Sequence, residues 1–385
     1  MADDRKIIMA VDFGTTYSGL AWAQTRKPEI QTPLIQWPDA TSGGLEGATS
    51  DKVPTEIQYL GDEYKWGFQI GDYGQRHQWF KLGLDATHCT GASSALARDF
   101  PDPNASPPEY NHSPEKLVTD YLTALRKHAE QVLRYKLPES ALTSTPIEFV
   151  ITTPAVWSDV AQFKTRSCAQ KAGMGVGSAL HIISEPEAAA MYALDAMDPH
   201  NIKVGDTFVL CDAGGGTVDL ISYKVSALKP LLEITEAAPG SGSSCGSTFL
   251  NRIFQKFLKD KFGNDRYWDE DILEEATKRF EVTVKRSFNG VPGEEYQIPV
   301  PGLRDSVTRD VRRGRYRLMG SDVRKIFEPV VKEVIALILG QISATKAPVK
   351  AILLVGGFGQ NTFLRDSVRQ AVSSKGIEVM QSPNG

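Results

Sequence analysis

No stretch of this sequence approaches the ~18 consecutive apolar residues of a membrane-spanning helix. The opening segment MADDRKIIMAVDFG holds only a few apolar residues in a row, short of the ~7–15 of a secretory signal, and no small-residue cleavage site follows it. Neither a membrane nor an export route is expected, and a cytoplasmic location is. Cysteine is scarce: four in 385 residues, at 89, 168, 211 and 245, with no C-x-x-C pair. That excludes a disulfide framework and leaves each thiol as a small buried apolar group in a reducing compartment. The six histidines show no metal-ligand spacing. Charge of one sign is not in excess either: 43 basic against 47 acidic residues leave a net charge of −4, so nucleic acid is not an expected partner.

Familiar catalytic signatures are missing as well. There is no G-x-x-x-x-G-K-[ST], so this is not a P-loop protein. No G-x-S-x-G stands at a strand-to-helix turn. Gly173-x-Gly175-x-Gly177 follows a helix rather than a strand and lacks dinucleotide spacing.

What is present is an alternation of strands and helices, the pattern of an α/β protein. At 385 residues the chain is too long for one ordinary core, so two lobes are expected. Strands are expected at 6–13, 18–24, 147–153, 181–183, 207–213, 218–224 and 350–356. Helices are expected from Ser113-Pro114-Glu115 to about Tyr135, from Ser158-Asp159 to Lys171, from Glu185-Pro186 onward, over 268–289, and from Asn361 to Ser373. Residues 38–54 and 239–248 read as loops. Residues 85–114, centred on DFPDPNASPPEY, read as a surface insertion with little regular structure, and Trp66, Trp79 and Phe80 as a small separate apolar cluster.

One internal repeat is informative. VDFGTTYSGL (11–20) and CDAGGGTVDL (211–220) share a pattern: apolar strand, Asp, spacer, Gly, small turn residues, returning strand. A tight Gly/Thr turn offers backbone amides and hydroxyls to a phosphate without Cβ obstruction. Gly14, Thr15, Thr16 and Tyr17 form one such turn; Gly214, Gly215, Gly216 and Thr217 form the other. Asp12 and Asp212 end the strands beside them, where two carboxylates would hold Mg²⁺ through its waters. The two devices are expected to face one another across a shared triphosphate. A third turn, Gly356-Gly357-Phe358-Gly359, follows a strand and opens a helix, which suits a close-packed ligand edge.

VDFGTTYSG, ITTPAVWSD (151–159), IISEPEAAA (182–190), CDAGGGTVDL and LLVGGFGQNTFLRDSV (353–368) together resemble, in order, the five nucleotide motifs of the 70-kDa heat-shock chaperone family. WFKLGLD (79–85) and the long insertion resemble its divergent twelfth-member branch. The resemblance implies an actin-like ATPase fold: two similar lobes, each on a mixed five-stranded sheet with helices, and a nucleotide cleft between them. Lobe I would span 1–190 with an insertion at about 40–114, and lobe II 191–385 with an insertion at about 228–310. The implied ligands are ATP or ADP with Mg²⁺, and the implied activity is slow ATP hydrolysis driving lobe closure. A nucleotide-dependent binding module with little turnover is the alternative, and a small-molecule kinase a weaker one.

Residue by residue, the resemblance places Asp12 and Asp212 in the Mg²⁺ shell and Lys81 at the γ-phosphate. It places Glu185 where it positions water or metal, and Asp219 on the same water network. Gly246 would contact phosphate. Lys285, Arg286 and Asn289 would clasp adenosine, with Gly356, Gly357, Phe358 and Gln360 on the adenine side. Gln360 replaces an adenine-stacking arginine, and Ser247 an acidic residue. Glu281 precedes Lys285 by four residues where the family spacing is three. Gln162 replaces an arginine that faces the interdomain linker, which weakens the expectation of stimulation by J-domain co-chaperones. A peptide-binding region would lie C-terminal to Gly385, with no substrate-binding domain inside the chain. A monomer is expected.

Overall fold

A computed structural model describes residues 5–39, 47–71, 76–85, 95–100, 112–155, 157–196, 201–228 and 232–381. Cys89, Val156 and the centre of the 85–114 insertion lie outside these. The chain divides into two compact units: residues 1–90 with 107–188, and residues 91–106 with 189–385.

The first unit is built on a sheet of β1 (Ile7–Asp12), β2 (Tyr17–Gln24), β3 (Lys27–Pro33), β4 (Val53–Pro54), β5 (Ile147–Thr153) and β6 (Leu180–Ser184). The order is β6-β5-β1-β2-β3, with β4 pairing the start of β2. β5 runs parallel to β1 and β6, while β2 returns antiparallel from β1, so the sheet is mixed, with one strand more than the five expected. Alternation places Ile7, Met9 and Val11 in the core, where burial of such side chains contributes roughly 1.5–3 kcal/mol each. Helix α1 (Pro114–Lys136) starts as its sequence suggests: the Ser113 hydroxyl caps the Lys116 amide and Pro114 occupies the first turn. Its buried stripe of Leu117, Val118, Tyr121, Leu122 and Leu125 packs on α2 (Asp159–Lys171), which Ser158 caps. Trp66 and Phe80 belong to this same core rather than to a separate cluster. Helix α3 (Glu185–Ala196) follows β6.

The second unit has a five-stranded mixed sheet in the order β9-β8-β7-β10-β11. Its strands are β7 (Thr207–Ala213), β8 (Val218–Ala227), β9 (Glu233–Ser243), β10 (Val349–Val355) and β11 (Glu378–Gln381). β7 and β10 are parallel and fully buried at their centres, as their unbroken apolar runs require. Residues 239–243, expected as loop from their glycines and serines, instead finish the edge strand β9, which breaks register repeatedly against β8. Small residues suit such a bulged edge. Helices α4 (Thr248–Phe262), α5 (Glu270–Arg279), α6 (Gly320–Ala344) and α7 (Thr362–Val372) and a separate three-stranded antiparallel sheet (Glu295–Pro299, Val311–Arg312 and Arg315–Met319) also belong to this unit. The insertion is not wholly irregular: Ala95–Asp99 is a short helix whose Leu96 is buried in this unit's core, and the Phe100 carbonyl accepts from Arg252.

The three described cysteines, Cys168, Cys211 and Cys245, are buried and unpaired, and burial raises each thiol's pKa. Among the described residues no helix is long and apolar enough to cross a membrane. The fold is the actin-like one.

Candidate functional site

In the first unit β1 ends at Asp12, directly opposite Gly19 of β2. The turn between them is tight: a Cβ on Gly14 would collide with the Tyr17 carbonyl. Thr55 holds the turn from its carbonyl side. Its hydroxyl donates to Gly14 O at 2.9 Å and its amide to Thr16 O at 2.8 Å. Among the described residues the amides of Thr15 and Thr16 donate to no backbone carbonyl.

The second unit repeats the arrangement with different parts. The helix α4 N-terminus ties down the turn: Thr248 gives both its amide and its hydroxyl to Gly215 O at 2.9 Å. Ser247 N donates to Gly214 O and Gly246 N to Gly216 O. The orphan donors of a helix start are thus satisfied by the turn's own carbonyls. A Cβ on Gly246 would strike the Gly215 carbonyl, so this backbone contact requires glycine. The amides of Gly215 and Gly216 donate to no backbone carbonyl among the described residues. Asp212 lies in register opposite Asp219, whose Oδ2 accepts from the Thr217 hydroxyl at 2.8 Å.

Lys81 sits on a one-turn 3₁₀ helix, Phe80–Leu84, entered through Trp79 in the left-handed region at φ 57°. A bulky residue there is strained, and the packing around it must hold it. Gly83 packs against Pro114 of α1, and Asp85 accepts from the Ser158 amide at the start of α2. The Lys81 side chain is fully buried. Its ammonium lies 5.4 Å from the Phe13 ring, 5.3 Å from the Trp157 ring, and 2.6 Å from Glu185 Oε1. The buried indole N–H of Trp157 has no acceptor among the described residues. Two cation–π faces and an ion pair thus fix the Lys81 ammonium, with the Trp157 indole donor beside it.

Asp12 is engaged at both oxygens. Oδ2 is 2.8 Å from the Lys52 ammonium, and Oδ1 accepts from Thr152 at 3.4 Å. Burial raises its carboxyl pKa, but the Lys52 charge and hydrogen bond, with help from Lys81 and Thr152, outweigh that and hold it below the ordinary aspartate value. Asp212 and Asp219 are paired across the hairpin, and two carboxylates are the donor type that a hydrated Mg²⁺ takes. Asp12, already neutralised by Lys52, fits one poorly. No group of three or more His, Cys, Asp or Glu that could hold a metal occurs among the described residues.

Of the residues assigned to adenosine, Lys285 and the third Gly-rich segment are tied together on the second unit, through Asn361. The extra residue between Glu281 and Lys285 is absorbed by a π-helical turn, Phe280–Val284, in which the Lys285 amide reaches back to Phe280 O. A wider turn carries an inserted residue without breaking the helix. Lys285 Nζ then meets both Glu281 Oε1 and Asn251 Oδ1 at 3.2 Å. Burial lowers the Lys285 pKa, and the Glu281 carboxylate opposes that. Asn361 joins the third Gly-rich segment to this helix, donating to the Lys285 and Phe288 carbonyls while capping the Leu364 amide. That segment is one helical turn, Gly356–Gly359. Gly356, at φ 78°, has no room for a Cβ against the Asp212 carboxylate, whereas a Cβ on Gly357 would meet nothing within 4 Å. Phe358 is buried in the core, so it holds the segment down through packing. Arg286 and Asn289 are exposed, and Asn289 Oδ1 accepts from the Val291 amide.

Sequence reasoning missed Lys52, Thr55, Asn251 and Thr248. None has a local signature, and each lies at least 33 residues along the chain from the group it holds.

The family model for Hsp70 protein matches residues 102–380. The chain is 24% identical to mouse heat shock 70 kDa protein 12A over 96% of its own length and 66% of that protein's. It is 24% identical to human heat shock 70 kDa protein 12B, over 97% of this chain and 66% of the relative. Chaperone protein HscA of Pectobacterium atrosepticum is 24% identical over 94% of this chain and 54% of its own length. The chain thus spans just under two thirds of the first of these relatives. It belongs to the Hsp70 family, and within it to a divergent group similar to members 12A and 12B.

Proposed function

We propose that this chain binds ATP and ADP through its two Gly-rich turns, hydrolyses ATP slowly to ADP and phosphate, and closes its lobes around the nucleotide as it does so. The observation that carries the reading is the repeated turn. In both units the carbonyl edge is fixed by a threonine from elsewhere and the amide edge is free to bind phosphate. Lys81 supplies positive charge toward the transferred phosphoryl group, and Glu185 and Asp219 orient the attacking water. Mg²⁺, held through water by Asp212, would neutralise phosphate charge; the chain's own contribution is positioning and electrostatic stabilisation. Lys285 and Glu281 hold the ribose, and Gly357 and Gln360 line the adenine side.

A second reading, a nucleotide-dependent binding module with little turnover, is favoured by one contact: Lys81 and Glu185 are bonded to each other. Single-turnover hydrolysis in the protein and in Lys81→Ala separates the two, since equal rates would support the module. Calorimetric titration with ATP and ADP, with and without Mg²⁺, tests the whole reading, and no binding at millimolar nucleotide would refute it. Gln162 donates to the Trp157 carbonyl rather than presenting a cation, so weak stimulation by J-domain co-chaperones belongs to the same proposal. So do a cytoplasmic monomer and a peptide-binding region beyond Gly385.

A further inference from the structure

Asp12 and Asp212 occupy matched places in two matched hairpins, yet their surroundings differ in sign. Opposite Asp212 stands a second carboxylate, Asp219. Opposite Asp12 stands Gly19, and Lys52 packs beside it, its Cγ 3.6 Å from where a Gly19 Cβ would be. The lysine is not a loose surface group. It immediately precedes β4, whose Val53 and Pro54 pair with Ser18 and Tyr17, and it stands three residues before Thr55, which fixes the turn. Its ammonium is 2.8 Å from Asp12 Oδ2, and its side chain keeps 37% exposure.

We infer that Lys52 is a built-in cation for the nucleotide phosphates, taking at Asp12 the charge-neutralising place that a divalent metal would otherwise hold. This rests on the nucleotide-binding reading above. In this arrangement Asp12 orients Lys52, and the ammonium contacts phosphate oxygens beside the Thr15 and Thr16 amides. Nucleotide binding then depends on metal only through the second unit's carboxylates. Lysine suits the role because its compact charge can turn between two acceptors.

The test is calorimetric titration of the full chain with ATP and with ADP, in Mg²⁺ and in EDTA, for the protein, Lys52→Gln and Lys52→Arg. Melting temperature and near-ultraviolet dichroism check that each variant is folded. The protein should lose no more than about tenfold in affinity on going from Mg²⁺ to EDTA. Lys52→Gln should lose about 30-fold more than that in EDTA, the scale of one charge-assisted contact, and Lys52→Arg should recover part of it. If the protein binds nucleotide in Mg²⁺ but fails in EDTA as completely as Lys52→Gln does, the role of Lys52 is overturned while nucleotide binding stands. Equal affinities of the protein and Lys52→Gln in both buffers overturn it as well. No binding by any of the three in either buffer overturns both readings.

Discussion

Replacing Lys81 by methionine keeps an unbranched stem between Phe13 and Trp157 but deletes the ammonium. At a separation of 2.6 Å the Lys81–Glu185 attraction is about 6 kcal/mol in an effective dielectric of ~20, before the desolvation of both ions is subtracted. What the variant loses is therefore not that gross figure. Glu185 keeps its charge without a partner, in a place where its side chain is only 17% exposed, and removal of one member of a buried pair costs about 3 kcal/mol. Lys81→Met combined with Glu185→Gln removes the stranded charge and should recover all but about 1 kcal/mol. Urea unfolding followed by tryptophan fluorescence measures this selectively, because Trp22, Trp37, Trp66, Trp79 and Trp157 all lie in the first unit and only Trp268 in the second. Single-turnover ATP hydrolysis should fall about 100-fold in both variants, the scale of one lost electrostatic contact to the transition state. A single variant as stable as the parent, or a double variant no more stable than the single, would show that the pair does not hold this corner together.

Two alanine substitutions should separate frame from ligand room. Gly246→Ala forces its Cβ into the Gly215 carbonyl and should lower the melting temperature together with nucleotide affinity; Gly357→Ala enters open space and should leave melting unchanged while weakening adenosine nucleotides. Identical behaviour of the two would contradict the assignment. His128 donates to the Gln36 carbonyl and stacks on Trp37, and burial lowers its pKa below 6.5 against a smaller opposing effect of that hydrogen bond. Below the ordinary histidine pKa the unfolded chain takes up the proton first, so stability of the first unit should decline as pH falls from about 7 toward 5. His128→Gln, which retains a donor, should flatten that decline in urea titrations at the two pH values, leaving the part due to His77, which burial and the His112 charge also lower.

Much of this was legible before any coordinates, and for a physical reason. Hairpins, capped helices and Gly turns are local: Ser113, Ser158 and Asn361 each cap a helix within a few residues of their own position. The same locality hid the rest. Thr55 acts 41 residues from Gly14, and Lys52 40 residues from Asp12, through a strand only two residues long. Residues 239–243 carry loop composition but pair as an edge strand because β8 offers them backbone partners. The four-residue spacing of Glu281 and Lys285 differs from the family spacing of three, yet the two charges meet at 3.2 Å across a π turn that no local residue pattern announces.

The short helix at Ala95–Asp99 bears on how this polypeptide can be cut. Following the backbone, membership changes after residues 90, 106 and 188, so neither half is one continuous stretch of gene. A fragment ending at Ala188 would carry Leu96 and Phe100 without the surface they cover. A fragment beginning at Ala189 would lack an apolar plug and leave Arg252 without the Phe100 carbonyl it donates to. Splitting the gene at one point should therefore yield two sticky products, and a soluble second half would need residues 91–106 supplied as a fused or added peptide.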